Sequence, residues 1–336
     1  MADYGPGARA LHWMALAQPA VCELQFDLER RLHGAGAPSG GRHVFVAGLA
    51  RAGTTVLMRS IHATGVFGSL TYRDMPFVLA PNLWARMNVR PAQSGPATER
   101  AHGDGVLVDF DSPEALDEVF WRVFLGDAYL RDPQALAPHA VPDEELEKFR
   151  AYVALVLKRT GKARYLSKNN NNILRLDGLL EAFPEAEILV PFRAPDTHAK
   201  SLLDQHRRFL AEDEADGFTR RYMGWLAHHE FGPGHRPFGF AEVDLSGQTP
   251  TEQGYWLALW RGVYAHLVDR YLGHERVRFV CYEEMTSDPA AWTRLAELLE
   301  LQSGARSEFR VGAGSEPGAT AGEAWDLYRR MREAAV

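Results

Sequence analysis

The chain has 336 residues, 46% hydrophobic and 24% charged, enough to bury the core of one large domain or two small ones. A net charge of -7 rules out a general basic footprint for nucleic acid, so any anion site has to be local. Cys22 and Cys281 are too far apart for a disulfide framework or a cysteine-based zinc site, no apolar run reaches the length of a membrane span, and the N-terminus lacks a signal-peptide layout; the expectation is a soluble cytoplasmic protein.

Residues 8–33 carry Leu11, Met14, Leu16, Val21, Leu24 and Leu28 near helical spacing, which predicts one amphipathic helix on the outside of a sheet. A glycine-rich connector, Gly34 to Gly41, follows. The uninterrupted run Val44-Phe45-Val46-Ala47 predicts a strand buried on both faces, as in a parallel sheet. It ends in Gly48-Leu49-Ala50-Arg51-Ala52-Gly53-Thr54-Thr55, and a helix continues to Ile61. Gly48 and Gly53 have the spacing of the glycines in G-x-x-x-x-G-K-[ST], where the backbone turns sharply and its N–H groups approach an anion. Thr54 stands where that pattern has lysine, and the cation sits inside the loop at Arg51. Such a loop can cradle one tetrahedral anion but is poorly equipped for a triphosphate.

A short strand is predicted near 69–72, with Arg73-Asp74 just past its end, where ligands of open α/β sheets gather. Pro76 is expected to open the next helix, through Val78, Leu79, Leu83 and Trp84. Residues 88–106 read as a loop rich in Pro, Gly, Ser and Ala, and 106–110 as a short strand. Ser112 and Pro113 predict a helix start leading through Phe120, Trp121 and Phe124, and a second helix spans about 143–159. Arg164 to Lys168 reads as a strand followed by Asn169-Asn170-Asn171-Asn172, three more asparagines than an N-cap needs. The strand Ile188 to Arg193 runs into a helix at Pro195, with Ser201 two turns in. An arginine suits a phosphate because its fork donates bidentately.

Between Glu214 and Phe240 stand Trp225, His228, His229 and His235. Their spacing fits no closed zinc ligand set, and the segment reads as an aromatic, partly polar lid over an acceptor. Trp256, Trp260 and Tyr264 form a core stripe on a helix over 251–272. Arg276 to Cys281 is the last predicted strand, followed by Tyr282-Glu283-Glu284-Met285 and a helix from Asp288-Pro289 to Leu301.

Gly48-x-x-Arg51-x-Gly53-Thr54-Thr55 resembles the 5′-phosphosulfate loop, [KR]-x-G-[ST]-[ST], of sulfotransferases that use 3′-phosphoadenosine 5′-phosphosulfate (PAPS). Arg193-Ala194-Pro195 with Ser201 resembles that family's 3′-phosphate motif, R-[DN]-P-x-[DE]-x-x-x-S, and Lys168 stands where members carry K-[ST]-P or K-[ST]-H. The resemblance covers about 43–301, discontinuously, and implies an α/β fold: a parallel sheet flanked by helices on both faces, of the P-loop nucleotide-binding type.

It implies a sulfotransferase domain over 42–305, with helical insertions at about 88–160 and 212–272 on the acceptor side. The N-terminal helix and linker (1–41) and a C-terminal tail and helix (306–336) flank it. By the same resemblance, Arg51, Ala52, Gly53, Thr54 and Thr55 hold the donor's 5′-phosphosulfate, and Arg193 and Ser201 its 3′-phosphate. Lys168 and Arg51 stabilise charge on the sulfuryl and leaving phosphate oxygens, no metal is required, and 3′-phosphoadenosine 5′-phosphate (PAP) is the product.

Two departures matter. Asn170 occupies the place of the K-x-H histidine and cannot accept a proton, and Asp74 stands where carbohydrate sulfotransferases have a glutamate. The base is therefore expected to be Asp74, its pKa raised by desolvation, with His228 or His229 as competitor. Phe309-Arg310-Val311-Gly312 faintly resembles a C-terminal segment that touches the 3′-phosphate. The acceptor stays open among carbohydrate, lipid, polyketide, phenol and peptide, and the alternatives are a P-loop kinase using ATP or a catalytically silent nucleotide-binding relative.

Overall fold

Strand β1 (Val44–Val46) lies at the centre of a five-stranded sheet. The computed structural model describes residues 5–34, 41–87, 98–99, 107–108, 112–213, 217–301, 309 and 322–336. The other strands are β2 (Phe67–Gly68), β3 (Thr98–Glu99), β4 (Leu107–Val108), β5 (Arg164–Lys168), β6 (Glu187–Phe192) and β7 (Val277–Cys281). The sheet order is β2-β5-β1-β6-β7 and every neighbouring pair is parallel, while β3 and β4 form a separate antiparallel ribbon. Val44 sits opposite Leu166 and Glu187, and Val46 opposite Lys168 and Leu189.

The all-apolar reading of β1 has its cause in the two faces. Val44 and Val46 enter one core cluster with Leu57, Met58, Ile61, Leu166, Leu189 and Leu295. Phe45 and Ala47 enter the other, with Phe120, Trp121, Phe149, Tyr152, Trp256 and Trp260. Helices Thr54–His62 and Pro289–Leu298 serve the first cluster. Helices Glu118–Tyr129, Asp143–Thr160 and Gln253–Tyr271 serve the second, so the chain is an α/β protein with helices on both faces of a parallel sheet. Burying each large side chain of this kind stabilises the fold by about 1.5–3 kcal/mol. Among the described residues no helix is long and apolar enough to cross a membrane.

The structure departs from the sequence reading at three starts and one break. The helix expected over 8–33 is two, Pro6–Leu16 and Pro19–His33, because Gln18 precedes a proline and turns extended (φ -107°, ψ 118°). The strand near 69–72 is only Phe67–Gly68, and Tyr72–Asp74 is a 3₁₀ turn. Met75 before Pro76 is likewise extended (ψ 143°), and the following helix starts at Pro81, not Pro76. Pro113 bridges to Thr71, and Glu114 N donates to Leu70 O, so the helix after Ser112 is delayed to Glu118. The loop at 88–97 and 100–106, most of the 34–41 connector, and Arg310 lie outside the described residues.

A buried polar network behind β5 holds the asparagine run, and the sequence reading has no trace of it. Arg175 donates to Glu118 Oε2 and Oε1 at 3.2 and 3.1 Å, with its guanidinium 4.8 Å from the ring centres of both Trp121 and Tyr129. Tyr129 donates its hydroxyl to Glu118, and Asn169 Nδ2 donates to Glu118 Oε2 at 2.7 Å. Neighbouring Asp117 accepts from Ser167 Oγ and from Asn169 Nδ2. Burial pushes Asp117 up to about 6 despite these bonds.

Glu118→Ala would leave the Arg175 charge buried and unpaired. The expected cost is about 3–5 kcal/mol in denaturant unfolding, and a loss below 1 kcal/mol would contradict the network's role. The Asp117 pKa is higher folded than unfolded, so its contribution to stability is full below about 4 and is lost as pH rises through about 6. Relative to wild type, Asp117→Asn should therefore gain on the order of 2–3 kcal/mol between pH 4 and pH 7.5, read by paired unfolding curves.

Candidate active site

Parallel pairing sends the carboxyl ends of β1, β2, β5, β6 and β7 to one edge, and the loops leaving that edge carry the residues singled out above. After β1, Ala47 N still donates to Leu189 O at 2.9 Å, and at Gly48 a Cβ would lie 3.2 Å from Pro191 O. The chain then turns through Arg51 in the left-handed region (φ 69°) and Gly53 (φ 89°). For a non-glycine residue that conformation costs about 1–2 kcal/mol, so something must hold Arg51.

Two contacts do so. His198 Nε2 donates to Ala50 O at 2.8 Å, and Arg51 Nε donates to Ser201 Oγ at 3.3 Å. Burial pushes His198 down to about 3, so the imidazole is neutral and Nε2 carries its hydrogen. The helix Thr54–His62 starts directly behind Gly53, which as a glycine supplies no side-chain cap, and a helix N-terminus of this kind points backbone N–H groups outward. Thr54 and Thr55 are buried at that helix start.

The second anchor folds against the first. Arg193 follows β6, and its guanidinium lies 5.2 Å from the ring centre of Tyr282, the residue after β7. The same Tyr282 ring occupies the space a Cβ on Gly53 would take, 2.5 Å from its Cδ2. One ring thus touches both the anion loop and the arginine. Glu283 accepts from Ala194 N at 2.9 Å and from Tyr328 at 3.2 Å, and Trp325 Nε1 donates to Asp196 Oδ2 at 2.8 Å. The C-terminal helix Glu323–Glu333 therefore braces the Arg193 corner. Sequence reasoning missed His198, the linking role of Tyr282 and this brace. His198, three residues into a helix that starts at the phosphate motif, is the only one of these with a local signal.

Lys168 ends β5 beside Val46 and is buried, and Asn169 N donates to Val46 O at 2.9 Å. Three of the next four asparagines have a side-chain hydrogen bond. Asn169 accepts from Asn171 N at 3.0 Å as the cap of the 3₁₀ turn Asn170–Leu174. Asn170 Nδ2 donates to Glu230 Oε1 at 2.9 Å, and Asn171 Nδ2 to Ala227 O at 3.3 Å. Two of the three asparagines beyond the cap, Asn170 and Asn171, thus clamp residues 227–230, while among the described residues the Asn172 side-chain amide has no hydrogen-bond partner. Ala227 is itself in the left-handed region (φ 50°) and fully buried. Glu230 Oε2 faces His228 Nδ1 at 3.5 Å. Burial works to raise Glu230, but His228, Lys168 and the Asn170 amide outweigh it and hold the carboxyl well below the usual range.

Asp74 is placed differently. It closes a capping box: Thr71 N and Oγ1 donate to its Oδ2 at 2.9 and 3.2 Å, and Arg159 Nε lies 3.3 Å from its Oδ1. Burial raises its pKa, in the direction expected; Oδ2 is tied to its own turn, while Oδ1 has the Arg159 ion pair from the helix Asp143–Thr160 and no hydrogen bond among the described residues.

The remaining histidines disperse: His229 Nδ1 lies 3.0 Å from Gly234 O, and His235 Nε2 lies 2.8 Å from the Tyr255 hydroxyl. Among the described residues no group of three or more His, Cys, Asp or Glu could hold a metal. A groove of about 280 Å³ opens between helices Pro6–Leu16 and Gly217–Trp225, lined by Arg9, Trp13, Phe218, Arg221 and Trp225.

Residues 43–302 match the model of the Sulfotransferase family. Among solved structures, the sulfotransferase STF9 from Mycobacterium avium is similar at 18% identity, over 99% of this chain and 78% of that one, with a TM-score of 0.51. The sulfotransferase STF1 from Mycobacterium tuberculosis H37Rv aligns at 14% identity over 93% of this chain and 77% of that one, with a TM-score of 0.49. No curated protein matches the chain.

Gly53→Ala would meet both the left-handed backbone and the Tyr282 ring. The expected loss is about 2–4 kcal/mol, from strain and overpacking together. In the double variant Gly53→Ala/Tyr282→Ala, the overpacking part should return and the strain part should persist, both read as unfolding midpoints. Wild-type stability in Gly53→Ala would contradict the loop geometry.

Proposed function

Because the chain belongs to the sulfotransferase family, we propose that it moves a sulfuryl group from PAPS to a hydroxyl or amine of a small-molecule, carbohydrate or natural-product acceptor. The observation that carries the donor assignment is the 3.3 Å contact of Arg51 with Ser201, which sets the glycine loop and the helix behind Arg193 on one side of the sheet edge. A doubly phosphorylated adenosine has two anionic ends for two such grips, while AMP has only one.

The loop amides of 51–55 and the helix N-terminus suit the phosphosulfate, and Arg193 with Ser201 suits the 3′-phosphate. In the transfer, the acceptor oxygen or nitrogen attacks sulfur in line. The bond from sulfur to the 5′-phosphate oxygen breaks with its electron pair on the phosphate, PAP leaves, and the acceptor's proton passes to a base. Lys168 and Arg51 neutralise the oxygens that gain charge, the task magnesium has in phosphoryl transfer. Insertions at about 88–160 and 212–272 would supply the acceptor side. The two buried free thiols, Cys22 and Cys281, suit a cytoplasmic location. Thr54 in place of lysine weighs against the ATP-dependent kinase reading. For the base, the sequence offers Asp74 or a histidine of 228–229; the capping-box geometry of Asp74 favours the histidine, argued below.

PAP should raise the melting temperature more than ADP or AMP does, without magnesium. Arg193→Ala should lose that advantage alone, about 1.5–3 kcal/mol or roughly 10–100-fold in Kd. Equal stabilisation by AMP, or magnesium-dependent ATP turnover, would overturn the assignment.

A further inference from the structure

Within the sulfuryl-transfer reading, on which this step rests, we propose that His228 is the base that takes the acceptor's proton and that Glu230 is the positioning residue that holds it. Three observations converge on the pair. Glu230 Oε2 faces His228 Nδ1 at 3.5 Å while its Oε1 accepts from Asn170 Nδ2 at 2.9 Å, and Asn170 stands two residues past Lys168 at the strand end. The pair is therefore tied to the sheet edge that carries the anion loop. Ala227, directly before His228, is held in the left-handed region with its carbonyl bound by Asn171, so the backbone that aims the imidazole is over-determined. The His228 side chain keeps 18% of its surface exposed, whereas Asp74 keeps 3%.

The division of labour follows from the charges. Glu230 is a poor proton acceptor because His228, Lys168 and Asn170 all favour its ionised form over the opposing effect of burial. The same carboxylate fixes which ring nitrogen faces it, leaving Nε2 to accept from the acceptor. Among the described residues, the titratable or charged groups coupled to the pair include Lys168 on the strand, His229 and Arg236 on the same loop, and His235, which burial pushes down to about 4. Asn170 cannot take the proton itself, and Asp74 is the more buried group, with Oδ2 bonded to Thr71 and Oδ1 ion-paired to Arg159.

The test uses the full chain with saturating PAP for binding, and PAPS with 2-naphthol or water as acceptor for turnover. Carbon-13 NMR of the histidine Cε1–H groups, with His228 assigned by its disappearance in His228→Gln, follows the imidazole directly. In Glu230→Gln the His228 Cε1–H resonance should shift and kcat should fall on the order of tenfold with KM little moved, because the imidazole has lost the carboxylate that orients it, and Glu230→Asp should recover part of the loss. His228→Gln should lower turnover by about 10²–10⁴-fold while PAP stabilisation stays. A His228 resonance unmoved in Glu230→Gln overturns the pair, whatever the turnover. So does retention of more than a third of wild-type turnover in His228→Gln, or loss of turnover in Asp74→Asn with PAP stabilisation and melting temperature retained. If wild type gains no stability from PAP, the donor reading fails instead, which separates the two failures.

Discussion

The arrangement depends on β1 hydrogen-bonding in parallel to β5 on one side and β6 on the other. A buried parallel sheet has one carboxyl edge, so the loops after β1, β5, β6 and β7 must emerge together. Lys168 is level with Val46, one residue before the turn that leads to Arg51. Reversing any of these strands would carry its loop to the far side of the molecule. The aromatic core on one face and the aliphatic core on the other hold the strands in this order, and the edge inherits its precision from them.

On that edge, geometry is held by neutral and paired groups rather than by exposed charge. The Ala50 carbonyl is bound by an imidazole whose burial keeps it uncharged, so this contact of the glycine loop persists across the physiological pH range. Tyr282 fills the space beside Gly53 and lies under Arg193, coupling the glycine loop and the Arg193 corner through one ring. The corner that presents Arg193 is braced by Glu283, Tyr328 and Trp325, which gives the C-terminal helix a mechanical part in a site it does not itself line.

Left-handed backbone at non-glycine residues is rare and costs free energy. Two of the three such residues among the described residues are Arg51, in the loop after β1, and Ala227, bound by the turn after the neighbouring strand β5. Each is held by a specific partner, Arg51 by Ser201 and the carbonyl of Ala227 by Asn171. Strain that persists only because the surroundings impose it is a mark of a site that has been pre-organised. Glu300, the third, lies at the end of the helix Pro289–Leu298, where a helix terminus explains it.

How far the sequence carried depended on whether a feature was local. The buried run at 44–47, the glycine spacing, the strand ending at Lys168 and the Arg193–Ser201 offset were legible, because each is set by the period of one element or the sterics of one turn. Helix starts failed where a tertiary contact overrode a local signal, as when Pro113 paired with Thr71 instead of opening a helix. Asp74 was found as a residue, but its environment was not, since Arg159 reaches it from a helix far along the chain. Glu230 was invisible. Its meaning comes from Asn170, 60 positions away, and no pattern around it records that meeting. Sequence alone determined which segments bury and which turn, because those follow from side-chain period and backbone sterics. Tertiary structure decided which charges meet, because that depends on strand order, and strand order is settled by packing between segments that share no local signal.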